Sequence, residues 1–205
     1  MMLAHVSPAC PLSVIDMRIE SSQMGIKERA AITGRPGVGK TTLIEKVIEL
    51  VPLSVGGIIG KELLVCGHRV GFSLIDVATG QEGVLAHIHQ RIGPKIGKYT
   101  VNLATLRDIA IPAIENAIRT KDLVVIDEFA PMELVSPDFL PAVELALASD
   151  KALIIATHAT LDHPLVHRIR QDLKLFRVKL GNRDRLPSEV AAFLTGSESI
   201  QAPPL

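Results

Sequence analysis

The sequence predicts a three-layer α/β fold, in which helices cover both faces of a mostly parallel sheet, with an inserted antiparallel hairpin region. Two apolar runs that end in polar residues, 122–128 and 152–158, are typical of buried parallel strands. A glycine-rich loop at 34–41 separates a further short apolar run from an amphipathic helical pattern. Strands that alternate with helices along the chain indicate a parallel sheet.

The loop that begins at Gly34 fits the Walker A pattern, G-x-x-x-x-G-K-S/T, which binds phosphate. Its glycines let the backbone turn so that several N–H groups face an anion, and Lys40 supplies a charge for the β- and γ-phosphates. The Thr41 hydroxyl is the expected Mg²⁺ ligand, and Thr42 is expected to reach the α-phosphate side. The candidate nucleotide-binding residues of this loop are Gly34, Arg35, Pro36, Gly37, Val38, Gly39, Lys40, Thr41 and Thr42.

The residues on either side supply the context that this motif requires. Residues 29–33 predict a short strand, and apolar residues then recur at helical spacing from about Lys40 to Val51. Pro52 ends the helical pattern. A chance match to the motif would not come with a strand before it and a helix after it.

Residues 55–86 predict antiparallel hairpins, because short apolar runs alternate with glycine-containing turns. Two interpretations of this insertion stay open: an edge ribbon that only completes the sheet, or a wall of the substrate site. Residues 87–102 are predicted to be an exposed loop, whose basic residues form either a mobile phosphate clamp or an ordinary solvated surface. His87 and His89 have the spacing of a metal pair, but no third ligand is evident.

The second strong motif is the Walker B strand at 122–128, which ends in Asp127 and Glu128. Ligands of doubly wound sheets bind at the carboxyl ends of the strands, so Asp127 is expected beside the Walker A loop, where it holds Mg²⁺. Glu128 is expected to orient and polarise the attacking water. Glu133 follows in the next turn, and its position alone does not decide whether it supports the site or is exposed.

Polar residues at two other strand ends are further site candidates. Thr157 and His158 end the third buried strand and are expected to point towards the γ-phosphate; the alternative for His158 is an imidazole bonded only to the backbone. Asn182 and Arg183 follow an edge strand predicted at 175–180. They are either base or ribose contacts, or an ordinary turn with an exposed arginine.

The remaining pattern is helical. Helices are predicted at 104–120, at 187–194, and after Ser136, which would be an N-cap followed by Pro137 at the first helical position. Asp162 and the two residues after it are typical of another helix start.

Length and composition set the organisation of the chain. The 205 residues fit one domain, which we assign to 28–195, between a flexible leader at 1–27 and a frayed tail at 196–205. A formal net charge of zero and 3% aromatic residues argue against nucleic-acid binding. No apolar run approaches the length that crosses a bilayer. Cys10 and Cys66 are too few for a secreted disulfide framework, so we expect a cytoplasmic protein.

With these residues in hand, the chain resembles the THEP-type nucleoside-triphosphatase family, known in animals as cancer-related nucleoside-triphosphatase, from about Arg29 to Leu194. The resemblance implies a RecA-like P-loop fold and Mg²⁺-dependent hydrolysis of several nucleoside triphosphates to the diphosphate and phosphate. The matching blocks are 34–43, 69–72, 75–76, 79–80, 97–99, 101–103, 125–128, 131–134, 182–184 and 186–187.

The sequence departs from the family pattern at several positions. Ala130 stands where the family usually has Gly, Phe129 where it has Ile, and Ile58 where it has Phe. Ala159 and Thr160 follow His158 where the family often has Arg, which leaves an arginine contribution from that loop in doubt.

The leading hypothesis is therefore a monomeric hydrolase of ATP, GTP, CTP and UTP, with Lys40, Glu128 and His158 as catalytic candidates and Mg²⁺ on Thr41 and Asp127. Arg91, Lys98 or Arg183 would assist Lys40 in stabilising the developing charge. A nucleotide or small-molecule kinase with the same phosphate loop is the first alternative. A nucleotide-dependent switch or partner-binding module is the second.

Overall fold

The computed structural model describes residues 27–197. The predicted leader, except Lys27, and the predicted tail, except Gly196 and Ser197, lie outside the described residues. Nine strands form one sheet in the described part of the chain. They are β1 Arg29–Gly34, β2 Val55–Val65, β3 His68–Asp76, β4 Glu82–His87, β5 Lys95–Ile96, β6 Tyr99–Val101, β7 Leu123–Phe129, β8 Ala152–His158 and β9 Lys174–Arg177.

Helices cover both faces of this sheet, which confirms the predicted three-layer fold. The helices are α1 Lys40–Leu50, α2 Leu103–Thr105, α3 Ile111–Thr120, α4 Phe139–Ala148, α5 Pro164–Asp172 and α6 Leu186–Leu194. One face of the sheet packs against α1 and α6, and the other face packs against α3, α4 and α5. A π-helical segment, Leu106–Ala110, joins α2 to α3.

The strand order is β5-β6-β4-β3-β2-β7-β8-β1-β9. The last five strands in this order are parallel to one another, and the first four join them through antiparallel pairs. The parallel strands β1, β7 and β8 are almost continuously buried and apolar, because helices cover both of their faces. Their carboxyl ends meet at one edge of the sheet, which positions the site described below.

The first strand of the predicted insertion differs from the prediction that residues 55–86 form only antiparallel hairpins. Val55–Val65 is one continuous strand, and its first half pairs in parallel with β7 up to Ile59 opposite Asp127. Only from Ile58 onward does β2 pair antiparallel with β3. The β2–β3 hairpin therefore completes the sheet and also projects beyond the carboxyl end of β7, so the two interpretations of the insertion are not exclusive.

Three other predicted boundaries are wrong. Residues 87–102 are not wholly an exposed loop, because Tyr99 and Val101 are buried in β6. Ser136 is not the N-cap of the next helix: it is buried in a preceding turn, its carbonyl accepts the Phe139 N–H at 3.3 Å, and α4 begins at Phe139. The edge strand β9 ends at Arg177 because the chain turns back there through side-chain bonds of Asn182.

Candidate active site

The Walker A loop joins β1 to α1, as predicted, at the carboxyl edge of the sheet. Gly39 has φ 102° and Gly37 has φ 72°, a region that side chains with a Cβ rarely adopt. A Cβ at Gly34 would lie 3.0 Å from the Val178 carbonyl oxygen and 2.8 Å from Val38 Cγ1. Close packing therefore favours glycine at position 34, and positive φ favours it at positions 37 and 39.

Lys40 begins α1 and is only 7% exposed. Its Nζ lies 3.5 Å from the Gly34 carbonyl oxygen and 3.2 Å from Glu128 Oε1. The second contact is an ion pair without hydrogen-bond geometry, since Glu128 Oε1 is buried and has no hydrogen-bond partner. The ammonium group is thus held between the loop and the Walker B strand.

Asp127 lies at the end of β7, near the Thr41 hydroxyl, and is 3% exposed. Its Oδ2 is buried and has no hydrogen-bond partner. Burial raises the pKa of Asp127 to about 7, against a smaller lowering by the Thr41 hydroxyl; the nearby Glu128 carboxylate raises it further. An unpartnered carboxylate oxygen of this kind fits a divalent cation, whose charge would offset the cost of burial.

Glu133 belongs to the same cluster of acids, which its sequence position did not reveal. Its side chain is buried, and Oε2 accepts the Ala130 N–H at 3.1 Å. Burial raises the pKa of Glu133 to about 8, and the charges of Glu128 and Asp127 add to this effect. The only sequence signal is the acid three residues after Ala130, a spacing that lets a carboxylate bond back to the turn it follows.

The candidates at the end of β8 lie beside the loop. His158 is in register with Gly34 across the parallel pair of β8 and β1, and Thr157 is in register with Thr33. The Thr157 hydroxyl is buried without a hydrogen-bond partner, and His158 Nδ1 lies 3.4 Å from Thr160 Oγ1. The strand therefore places His158 beside the first residue of the loop, and its role at the γ-phosphate stays a prediction.

Asn182 and Arg183 are less closely tied to the loop. The Asn182 side chain bonds within its own turn: Oδ1 accepts the Lys179 N–H at 2.8 Å and Nδ2 donates to the Arg177 carbonyl at 3.0 Å. Arg183 is exposed, and the Lys98 ammonium lies over the Tyr99 ring at 5.3 Å. The amide of Asn182 thus shapes the turn after β9.

A cavity of about 700 Å³ opens beside the Walker A loop on its β9 side. Its walls include residues 34–38, Arg170 of α5 and the segment 177–180. The volume is in the range of small-molecule sites. The lining contains four cationic side chains, Arg35, Arg170, Arg177 and Lys179, and no acid or amide side chain among the described residues.

Within residues 27–197, no three His, Cys, Asp or Glu side chains are grouped as a metal site. Magnesium at a phosphate loop does not need such a group, because it takes one or two protein oxygens and completes its shell with phosphates and water. Thr41 and the unpartnered Oδ2 of Asp127 are suited to that arrangement. No helix in the same described part of the chain is long and apolar enough to span a membrane.

A Walker A loop that faces a Walker B acid across parallel strands defines the class of P-loop nucleotide-binding proteins. A family profile described as "NTPase" matches residues 29–191. The chain is 46% identical to nucleoside-triphosphatase THEP1 of Methanosarcina acetivorans, over 79% of this chain and 94% of the relative. It is 44% identical to the THEP1 of Thermofilum pendens, over 78% and 91%.

Two solved structures share the fold. The crystal structure of THEP1 from the hyperthermophile Aquifex aeolicus has a TM-score of 0.72 and 31% identity, covering 81% of this chain and 98% of that one. The solution structure of a human cancer-related nucleoside triphosphatase has a TM-score of 0.68 and 31% identity, covering 84% and 100%. The chain belongs to the THEP1 nucleoside-triphosphatase family, so the predicted family, fold and enzyme class are confirmed.

Proposed function

We propose that this protein is a Mg²⁺-dependent hydrolase that converts several nucleoside triphosphates to the diphosphate and phosphate. The observation that carries the proposal is the pair of Lys40 and Glu128 behind the Walker A loop, 3.2 Å apart, with Glu128 Oε1 free of hydrogen bonds. A cation for phosphate and an acceptor for a water proton are thereby adjacent. That pairing is what attack of water on a terminal phosphate requires.

The loop and Lys40 bind the phosphate chain in this proposal. The N–H groups around Gly37 and Gly39 and the positive end of α1 attract the anion. A bound phosphate gives the Lys40 ammonium a second anionic partner, which weakens the ion pair between Lys40 and Glu128. The carboxylate of Glu128 then accepts a hydrogen bond from water and takes its proton as the oxygen attacks the γ-phosphorus and the diphosphate leaves.

Thr41 and Asp127 are the residues that would hold Mg²⁺. The ion supplies charge neutralisation of the β- and γ-phosphates when it is bound. Asp127 contributes a buried oxygen that has no hydrogen-bond partner among the described residues, and the Ala130 N–H holds the nearby acid Glu133. His158 sits next to Gly34 in the sheet, where it can report the state of the γ-phosphate to α5.

Broad base specificity is supported by the lining of the 700 Å³ cavity. Discrimination between bases needs donors and acceptors that match the base edge, such as amide and carboxylate side chains. The cavity offers cations and apolar side chains, including Val38, Val178 and Leu180, among the described residues. Arginine planes and apolar side chains can contact the face of any base, because every base has a π-face.

Transfer of the phosphate to an acceptor other than water is the second candidate. The observation in its favour is the β2–β3 hairpin, which continues beyond the end of β7 and forms a side of the carboxyl edge. A kinase acceptor would bind against this hairpin. The cytoplasmic location and the monomeric state stay predictions from the sequence.

The test measures phosphate release from ATP, GTP, CTP and UTP, with Mg²⁺ and with chelator, for the wild type, Lys40→Ala and Lys46→Ala. Lys46 is an exposed lysine on the same helix and serves as the matched control. We expect hydrolysis of all four nucleotides, lost with chelator and in Lys40→Ala but retained in Lys46→Ala. Hydrolysis that is negligible until one nucleoside or alcohol acceptor is added would establish the kinase instead.

A further inference from the structure

Arg170 makes contacts that the proposed reaction does not yet use. Its side chain extends from α5 to the carboxyl end of β8, where Nη2 donates to the His158 carbonyl at 2.7 Å and to the Ala159 carbonyl at 3.1 Å. His158 is the last residue of β8, in register with Gly34 of the Walker A loop, and Ala159 follows it. One guanidinium group therefore fixes the backbone on that side of the loop.

The charge of Arg170 has no carboxylate partner among the described residues. Its Nε is buried and has no hydrogen-bond partner. A partly buried guanidinium group with no acid beside it favours an anionic ligand. Four other arginines in residues 27–197 pair with acids: Arg69 with Glu62, Arg107 with Asp108, Arg168 with Asp172 and Arg185 with Glu189. Arg29 also has a buried Nε without a partner within that range and donates to a backbone carbonyl, but it does not line the cavity beside the Walker A loop.

The cavity supplies the place for the missing anion. Arg170 and residues 34–38 of the Walker A loop both line the 700 Å³ space. Arg35, Arg177 and Lys179 also line it but are exposed, so Arg170 is the cation among these four that is held by bonds to backbone. A cation fixed in advance loses little entropy when it binds a phosphate.

We propose that Arg170 contacts the phosphate chain of the nucleotide bound by the Walker A loop, while it positions the backbone of His158 and Ala159. The proposal rests on the proposed function, since the phosphates must be held by that loop. The guanidinium group is then a third cationic element of the site, with Lys40 and Mg²⁺. Occupancy of the site and the position of His158 become linked through a single side chain.

The test compares binding of pyrophosphate, ADP and a non-hydrolysable ATP analogue to the wild type, Arg170→Met, Arg170→Lys and Arg168→Met by calorimetry. Arg168 is the matched control, because it is exposed on the same helix and its charge is paired with Asp172. Arg170→Met should weaken all three ligands about 10- to 100-fold, the range for a lost charged hydrogen bond. Arg170→Lys should show a smaller loss, and Arg168→Met none.

Pyrophosphate lacks a nucleoside, so its binding distinguishes a phosphate contact from a contact with the nucleoside. The salt dependence of binding distinguishes a phosphate contact from a purely structural role of Arg170. The slope of log affinity against log salt should fall in Arg170→Met, as expected when one phosphate contact is removed. Unchanged pyrophosphate affinity in folded Arg170→Met overturns the proposal. If that variant does not fold, Arg170→Lys with wild-type affinity and slope overturns it. Absence of hydrolysis by the wild type would reject the proposed function and leave these binding results valid.

Discussion

Asp122 immediately precedes β7 and Asp127 lies near its carboxyl end, and the two acids have opposite environments. Asp122, half exposed, is fully bonded: its Oδ2 accepts the Ser54 hydroxyl at 2.6 Å and the Ser54 N–H at 3.2 Å, and Oδ1 meets Lys27 Nζ at 3.2 Å. The bonds from Ser54, and then the bond from Lys27, lower the pKa of Asp122 to about 2. This acid is satisfied by the fold itself.

Asp127 is buried, its Oδ2 has no partner, and burial raises its pKa to about 7. The amino end of β7 is thus built for stability, and the carboxyl end keeps a carboxylate that the protein alone does not satisfy. Glu133 and the hydroxyl of Thr157 share this condition of burial at the carboxyl edge. The difference indicates that the carboxyl edge is completed by a charged ligand.

The largest expected effect is on turnover by Glu128→Gln. The amide retains the size of the side chain but does not accept the water proton, so kcat should fall about 10²- to 10⁴-fold. Nucleotide affinity should change little, and removal of the negative charge beside Lys40 favours binding if anything. Phosphate release and ADP calorimetry measure the two quantities, with Glu144→Gln, exposed on α4, as the control. Unaltered kcat would contradict the role of Glu128.

A second effect concerns the pH dependence of stability without nucleotide. Because the pKa of Glu133 rises from 4.5 to about 8 on folding, the folded protein holds this proton more tightly than the unfolded chain does. The free energy of unfolding therefore falls as the pH rises through that interval. Glu133→Gln mimics the protonated acid, so it should lose less stability between about pH 5 and pH 8, by on the order of 1–3 kcal/mol.

Urea unfolding at several pH values measures this difference, again with Glu144→Gln as the control. Asp127 contributes a decline of the same sign, so Glu133→Gln should flatten the profile without removing the slope. A profile parallel to that of the wild type would show that folding does not raise the pKa of Glu133. That result would contradict the proposed difference between the acids at the two ends of β7.

The smallest effect is expected at the amino end of β7. Asp122→Ala removes an acceptor that is half exposed, so it should cost only about 1 kcal/mol in the free energy of unfolding. Because the pKa of Asp122 is lowered on folding, its contribution is present above about pH 4 and is lost towards about pH 2. Turnover should be unchanged, and Asp150→Ala, also an exposed acid, is the control. A large loss of turnover would contradict the division of β7 into two ends.

The sequence predicted the parallel core because its signals are local. Periodicity and glycine positions predict the strand, loop and helix around Lys40. Apolar runs predict the strands that carry Asp127 and His158. The rule that ligands bind at the carboxyl ends of strands then placed Asp127 and His158 beside the loop, but it did not predict the order of the strands. Prediction was accurate where one segment carried both the element and the motif.

Other features depended on contacts between distant segments. Whether Glu133 is buried depends on how the turn after β7 folds over the site, and no local pattern encodes that. The parallel pairing of Val55–Ile59 with β7 was hidden because one strand serves both halves of the sheet. The sequence did not indicate Arg170 as a site residue, since its bonds to His158 and Ala159 join residues that are 12 and 11 positions apart in the chain.

The most direct test of metal binding by Asp127 is the effect of Mg²⁺ on stabilisation by ADP. Thermal unfolding of the wild type and Asp127→Asn measures it. The unpartnered oxygen of Asp127 is expected to bind the metal, so Mg²⁺ should add on the order of 1–3 kcal/mol to the stabilisation of the wild type by ADP. In Asp127→Asn, ADP alone should still stabilise the protein, and Mg²⁺ should add little. An equal Mg²⁺ increment in both proteins would contradict the claim that Asp127 is held unsatisfied for the metal.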